Sequence, residues 1–331
     1  MRRLYNRSPI TDHRLPTTDY HLTSIALPFS VTILGSSGAL PAYGRMPSAQ
    51  YINIQNRHFL VDCGEGTQMQ LMRYQIAYLK INHILISHLH GDHYLGLTGL
   101  LFTMHLLRRE NDLHLYAPQG LDEIITLQLK HSKSVLRFKI IFHTTYPQNQ
   151  VLLFEDEALT IETIPLVHKI PCCGFLFREK IKPHRINKNK LPAGILLQHI
   201  VLLKSGKDVL DERGNLLYKY EDYTLPPHRS LSYAYCSDTS YIESITEQIR
   251  RVDLLYHEAT FMEDEKDKAE ETKHSTAMQA ALQAKRANVG KLAIGHFSAR
   301  YKELLPVLAE AQSIFPETTL AIEGITFDIG V

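Results

Sequence analysis

At 331 residues the chain is long enough for one large α/β domain or two medium ones. With 44% hydrophobic and 21% charged residues it has the balance of an ordinary globular protein, and a formal net charge of +1 excludes a generally basic coat. No apolar run approaches the roughly 20 residues needed to span a bilayer, so no membrane partner is expected.

Residues 1–29 carry Arg2, Arg3, Arg7 and Arg14 without a continuous apolar core. They read as an N-terminal extension rather than a secretory signal, with the domain proper at 30–331. Regular structure is predicted to begin with the strand Ser30–Leu34 and the turn Gly35-Ser36-Ser37-Gly38. Strands near Tyr51–Ile54 and His58–Asp62 follow. Gly66–Tyr78 reads as a helix, with Met69, Met72 and Ile76 spaced for one buried face. His83–Ser87 is a short buried strand and Tyr94–Arg108 a strongly apolar helix. Further strands fall near Leu113–Tyr116, Phe138–Phe142, Leu159–Pro165 and Gly174–Phe177, with a helix near Asp122–Lys130.

From about Lys180 to Pro227 the pattern breaks down. This stretch is too long for an ordinary connection, so it is read as an inserted arm at about 180–226, with a hairpin around Asp211–Gly214. Order returns with Ser232–Cys236, Asp253–His257, Thr276–Ala287, Leu292–Gly295, Glu303–Ser313 and Thr319–Ala321. Strands alternating with helices imply sheets covered by helices. Cys63, Cys172, Cys173 and Cys236 show no CxxC spacing, which points to reduced thiols and a cytoplasmic setting.

The densest chemistry lies in Ser87-His88-Leu89-His90-Gly91-Asp92-His93, directly after the apolar Ile84-Leu85-Ile86. Three imidazoles and a carboxylate fall within six residues, where a buried strand should end. Imidazole nitrogen and carboxylate oxygen suit Zn²⁺ and are tolerable for Mn²⁺. His88 and His90, two apart in an extended segment, point to one side and can grip one ion. Asp92 and His93, past the turning Gly91, can reach a second. Neither set is complete. His168, Asp238 and His296 each follow a predicted strand and are the candidates to complete them.

The pattern His-x-His-x-Asp-His resembles the signature of the metallo-β-lactamase superfamily. A closer resemblance, over roughly 31–328, is to the ribonuclease Z family of tRNA 3′-processing endonucleases. It is carried by Leu34 through Pro41, Val61 through Gln68, Ser87 through Gly96 and Cys236-Ser237-Asp238-Thr239. The most specific pieces come later, in His257-Glu258-Ala259-Thr260-Phe261, His274-Ser275-Thr276 and Gly295 through Tyr301. The resemblance implies an αββα sandwich of two mixed sheets with outer helices and an inserted flexible arm. It implies two zinc ions per subunit, one on His88, His90 and His168, the other on Asp92, His93 and His296, with Asp238 bridging. Asp92 is implied to orient or deprotonate the attacking water. Glu258 and His274 match the family's proton-donating pair. Each alone has a plainer reading, Glu258 as a surface carboxylate and His274 as a residue before a helix cap.

The implied activity removes the 3′ trailer from precursor tRNA, leaving a 3′-hydroxyl on the tRNA and a 5′-phosphate on the trailer. Candidate RNA contacts are Arg45, Arg300 and the basic segment Lys180, Lys182, Arg185, Lys188 and Lys190, where five cations meet no acid. Two stretches depart from the family pattern. Tyr43 and Met46 stand where many members have Lys and Asn, and Leu191-Pro192-Ala193-Gly194 is a partial Gly-Pro turn. The family also implies a homodimer. Two other readings are a small-molecule phosphodiesterase of the same superfamily, which usually lacks a long arm, and a non-catalytic RNA-binding protein on this fold.

Overall fold

The computed structural model describes residues 28–330. The extension assigned to 1–29 therefore lies outside the described residues, except for Pro28 and for Phe29, which opens the first strand. In chain order the early strands are β1 (Phe29–Gly35), β2 (Ala49–Ile54), β3 (Arg57–Val61), β4 (His83–Leu85), β5 (Leu113–Ala117) and β6 (Ile140–Thr144). Next come β7 (Leu152–Glu155), β8 (Leu159–Pro165) and β9 (Cys173–Glu179), then four short ones, β10 (Arg185–Ile186), β11 (Val209–Leu210), β12 (Leu216–Tyr218) and β13 (Thr224–Leu225). The last are β14 (Ser232–Cys236), β15 (Leu254–Glu258), β16 (Lys291–Gly295), β17 (Thr318–Leu320) and β18 (Thr326–Asp328).

Two seven-stranded mixed sheets result, in the orders β18-β1-β2-β3-β4-β5-β6 and β17-β16-β15-β14-β9-β8-β7. Their facing sides interlock through Val31, Ile33, Phe59 and Val61 on one and Phe175, Phe177, Tyr233 and Tyr235 on the other. Outside the first sheet, Leu100, Leu101, Met104 and Ile125 cover Ile84 and Leu115. Outside the second, the alanine face of the helix Ala277–Ala287 lies on Ala234, Leu255 and Ile294. Small side chains let that helix approach the parallel strands closely. The architecture is thus the expected αββα sandwich, with helices on both outer faces. Among the described residues no helix is long and apolar enough to cross a membrane.

Several elements depart from the sequence reading. The helix expected over 66–78 is only Thr67–Arg73, ended before Gln75, whose φ is 57°. Met69 and Met72 are 63% and 65% exposed, while Gln70 turns inward and donates to the Leu34 carbonyl at 2.9 Å. A polar residue satisfied by backbone took the inward face that the apolar spacing had assigned to methionine. The helix expected over 94–108 is split into Gly91–Tyr94 and Leu97–Leu106. Gly96 donates to the Cys63 carbonyl at 2.9 Å, and a Cβ there would fall 2.1 Å from the Gly64 oxygen. The strand expected at 138–142 begins two residues later, at Ile140, and β7, β18 and the helix Lys266–Thr272 were not anticipated.

Residues 180–226 form a unit of short pieces. β10 pairs with β13, β11 pairs with β12 around Asp211–Asn215, and the helix Leu197–Lys204 packs against these elements. Near its junction with the sandwich, Lys182, Arg185 and Lys188 line a cavity of about 1200 Å³ with Phe29 and Asp328. Beyond them, Leu196, Leu197, Val201, Leu202, Leu216 and Leu217 are exposed alongside Lys207, Arg213 and Lys219, so the outer part presents both apolar and basic side chains.

Candidate metal centre

Where parallel strands end, the following loops converge at one rim of the sheet. Here the segments after β3, β4, β8, β14 and β16 deliver, respectively, Asp62, the His88–His93 run, His168, Asp238 and His296, and Glu258 ends β15. Two donor clusters result. In one, His90 Nδ1 lies 3.1 Å from both His88 Nε2 and His168 Nε2, and Asp238 Oδ2 is 3.6 and 3.9 Å from the latter two. In the other, His93 Nε2 and His296 Nε2 are 3.3 Å apart, with Asp92 Oδ2 at 3.5 and 3.4 Å. Asp238 Oδ1 faces this second cluster, 3.5 Å from His93 and 3.2 Å from His296.

These donor sets fit a pair of first-row divalent cations. Three ring nitrogens cannot all donate to one another, whereas one ion at about 2.0–2.1 Å would satisfy their lone pairs together. Asp238 Oδ1 is buried without a hydrogen-bond partner, an expensive state for an isolated carboxylate oxygen. Burial opposes charge on both Asp238 and His93. Even so, His296 and His93 hold the Asp238 carboxyl well below its usual range, and Asp238, Asp62 and Asp92 hold the His93 imidazole well above its own.

The outward ring nitrogens are pinned, which leaves the inward ones free to face the centre. His93 Nδ1 donates to Asp62 Oδ2 at 2.8 Å, His168 Nδ1 donates to the Lys273 carbonyl at 2.9 Å, and His296 Nδ1 is 2.9 Å from Thr260 Oγ1. His88 Nδ1 lies 3.0 Å from Ser87 Oγ. Asp62 is the hub of this outer layer. Fully buried, it also accepts from Ser87 N at 2.7 Å, Ser87 Oγ at 2.9 Å and Tyr235 Oη at 2.6 Å. The sequence placed Asp62 at the end of a strand and within the family-like segment Val61 through Gln68, but gave it no role in the site. Asp62 and His296 both adopt left-handed backbone, at φ 55° and 59°, a strain that concentrates at functional sites.

Beside the clusters, buried Glu258 accepts from Thr239 N at 2.8 Å, Thr260 Oγ1 at 2.6 Å and His274 Nδ1 at 2.9 Å. Burial would lower the His274 pKa, but the Glu258 carboxylate outweighs it and lifts it to about 9. The capping box of Thr276 and Gln279 fixes the helix start two residues past His274. All of this opens on a cleft of about 580 Å³ that reaches Phe261 and Ser298.

The loop 36–46 closes one side. Glu323 accepts from Ser36 N at 2.9 Å and Met46 N at 2.8 Å, and Asp92 Oδ2 accepts from Ala39 N at 2.7 Å. At Gly38 a Cβ would fall 2.8 Å from His296 Cε1. Gly38→Ala should therefore push His296 aside and weaken metal affinity about 10–100-fold, read by chelator competition with the circular dichroism spectrum unchanged.

The candidate RNA contacts are scattered. Arg45 is 6% exposed, lies 5.3 Å over the Tyr43 ring and donates from Nη2 to the Tyr301 carbonyl at 2.8 Å, so it ties the loop down and has little surface to offer a ligand. Arg300 lies at the cleft mouth, 5.0 Å over the Phe261 ring and 2.7 Å from Glu265. Lys180 pairs with Glu155 and Lys182 with Glu179, each at 2.6 Å, and Arg185 Nε donates to the Pro226 carbonyl at 2.9 Å. Lys188 and Lys190 are exposed.

A family model described as the anti-Pycsar protein Apyc1 matches residues 29–183. Ribonuclease Z of Cytophaga hutchinsonii is 49% identical over 90% of this chain and 96% of its own. Ribonuclease Z of Bacteroides thetaiotaomicron is 43% identical over 91% of this chain and 95% of its own. Among solved structures, the short form of human tRNase Z aligns with a TM-score of 0.67 at 28% identity, covering 91% of this chain and all of that one. The metallo-β-lactamase fold protein YhfI of Bacillus subtilis aligns at 0.64 and 20% identity over 91% of this chain and 99% of its own, a likeness of fold.

Proposed function

The chain belongs to the ribonuclease Z family, metal-dependent hydrolases that process tRNA, and from that premise we propose that it removes the 3′ trailer of precursor tRNA by two-metal hydrolysis. The products of this reading are a tRNA with a 3′-hydroxyl and a trailer with a 5′-phosphate. The observation that carries it is one cleft in which Asp238 turns an oxygen to each donor cluster while His274, seated on Glu258, stands beside both.

Zinc, or Mn²⁺ on the same donors, would be held by His88, His90 and His168 and by Asp92, His93 and His296, with Asp238 shared, and when bound supplies neutralisation of phosphoryl oxygens and water of lowered pKa. Asp92 orients the attacking water. His274 gives its Nδ1 proton to Glu258 as a hydrogen bond, so the transferable proton sits on Nε2 and goes to the departing ribose 3′-oxygen. Thr239 and Thr260 hold Glu258 in place for this.

Metal-loaded protein should release one discrete, 5′-phosphorylated trailer from a precursor tRNA. Absence of that trailer alongside good cleavage of a chromogenic aryl phosphodiester would overturn the substrate assignment in favour of a small-molecule phosphodiesterase.

The reading also assigns the unit at 180–226 as a tRNA-binding arm, with Lys180, Lys182, Arg185, Lys188 and Lys190 as candidate contacts on the arm and Arg300 at the cleft mouth. Asn187 N donates to the Tyr223 carbonyl at 2.9 Å, so a short Gly-Ser turn can replace what lies between. That replacement should reduce precursor cleavage about 100-fold or more, as for a lost exosite worth roughly 2.7 kcal/mol, and leave aryl diester hydrolysis within about twofold. Equal losses on both would count against an arm that binds tRNA. A cytoplasmic homodimer completes the proposal, supported by the apolar side chains Met69, Met72, Leu106 and Leu127 exposed on neighbouring helices.

A further inference from the structure

Apart from the donor clusters and His274, two charged residues remain in the cleft wall, Glu65 and Lys169. Both are exposed, and neither side chain has a hydrogen-bond or ion-pair partner among the described residues. Each stands beside hydrogen-bonded backbone. Gly64 N donates to the Ser48 carbonyl at 3.0 Å, and Thr67 Oγ1 donates to the Gly64 carbonyl at 2.7 Å. A Cβ on Gly64 would fall 2.4 Å from the Asp92 carbonyl oxygen, so the turn that carries Glu65 is wedged against the ligand run. Lys169 follows His168, with Val167 N on Thr239 Oγ1 at 3.0 Å and Ser240 N on the Val167 carbonyl at 2.9 Å.

An RNA strand brings two recognisable features to such a rim. Its phosphates are anions, which an unpaired ammonium attracts and an unpaired carboxylate repels. Its ribose 2′-hydroxyls are neutral donors, which a carboxylate accepts and which DNA does not offer. A free carboxylate in the wall of a phosphodiester-cutting cleft is unfavourable unless it receives such a donor. We propose that Lys169 binds the phosphate next to the scissile one and that Glu65 accepts the 2′-hydroxyl of a ribose flanking the cut, so that the rim selects RNA. Both are specificity residues, and the assignment rests on the RNA-cutting reading above.

The test crosses residues with substrate atoms in the full-length, metal-loaded protein. Precursor tRNA is made all-ribose, or with one 2′-deoxynucleotide on either side of the cut. Wild type should lose about tenfold in kcat/KM on one of the deoxy substrates. Glu65→Ala should lose about as much on the all-ribose substrate and nothing more on the deoxy one, whereas Glu65→Gln, which keeps an acceptor oxygen, should retain part of the ribose preference. Lys169→Ala should raise KM about tenfold with less than a twofold change in kcat, and flatten the salt dependence of KM by about 0.7 in log–log slope. Lys169→Arg should restore both. A Glu65→Ala protein that keeps the full wild-type ribose preference overturns the proposal, as does a Lys169→Ala protein with unchanged KM and salt slope. Wild type that cuts an aryl diester but not the precursor overturns the RNA-cutting reading, and this assignment with it.

Discussion

Asp238→Ala should lose metal and activity together. Elemental analysis of the purified variant should find fewer than one bound ion per chain, and kcat/KM should fall by at least about 10⁴-fold, some 5.4 kcal/mol of barrier. The size follows from charge. Two divalent cations would bring four positive charges to a buried site, and among the described residues the carboxylates in the donor clusters are Asp92 and Asp238. Asp238 alone faces both, with Oδ2 on the His88 side and Oδ1 on the His296 side. Its removal halves the compensating charge and leaves each cluster one donor short. Asp238→Asn keeps the shape but offers one oxygen and one amide, so it should retain one ion and lose the other. Two tightly held ions in Asp238→Ala would refute the shared role.

The second large effect is expected at the proposed proton donor, and it should depend on the leaving group. His274→Ala should slow precursor cleavage by about 10²–10⁴-fold, since a ribose alkoxide needs a proton to depart. With an aryl diester, whose phenolate leaves unaided, the same variant should fall by less than about tenfold. Similar losses on both would make His274 a structural residue. Glu258→Gln adds a check on sign. If His274 is the proton donor, its acid form is the active one, and activity should fall as pH rises through its pKa, which Glu258 holds up at about 9. Without that carboxylate, burial lowers the imidazole, and the descending limb of the pH–rate profile should move to lower pH. A limb that stays in place would remove Glu258 from the pair.

How much of this was legible beforehand varied with distance along the chain. The run His88–His93 suggested metal chemistry by itself, because contiguous donors need no fold to meet. His168, Asp238 and His296 were legible as polar residues after strands, and it took the sandwich to bring each within 3.6 Å of that run. Asp62 was not legible as a hub, because its four hydrogen bonds come from residues up to 173 positions away. Arg45 shows the reverse failure. An arginine in a loop beside the cleft suggested a nucleic-acid contact, and the fold spends it on the Tyr301 carbonyl. Met69 and Met72 show that helical spacing identifies a face without saying which way it turns.

The order in which the ligands occur has a consequence for the life of the protein. Asp62, the His88–His93 run and His168 leave the ribosome well before Asp238, and His296 emerges last of all. The second cluster shares no complete set of donors until then, and β16, which delivers His296, must first join β15 in the other sheet. A nascent chain shorter than this has a partial chelate and no cutting centre. Completion of the site is thus tied to completion of the second sheet, so a chain cut short before His296 should be unable to fill the second cluster.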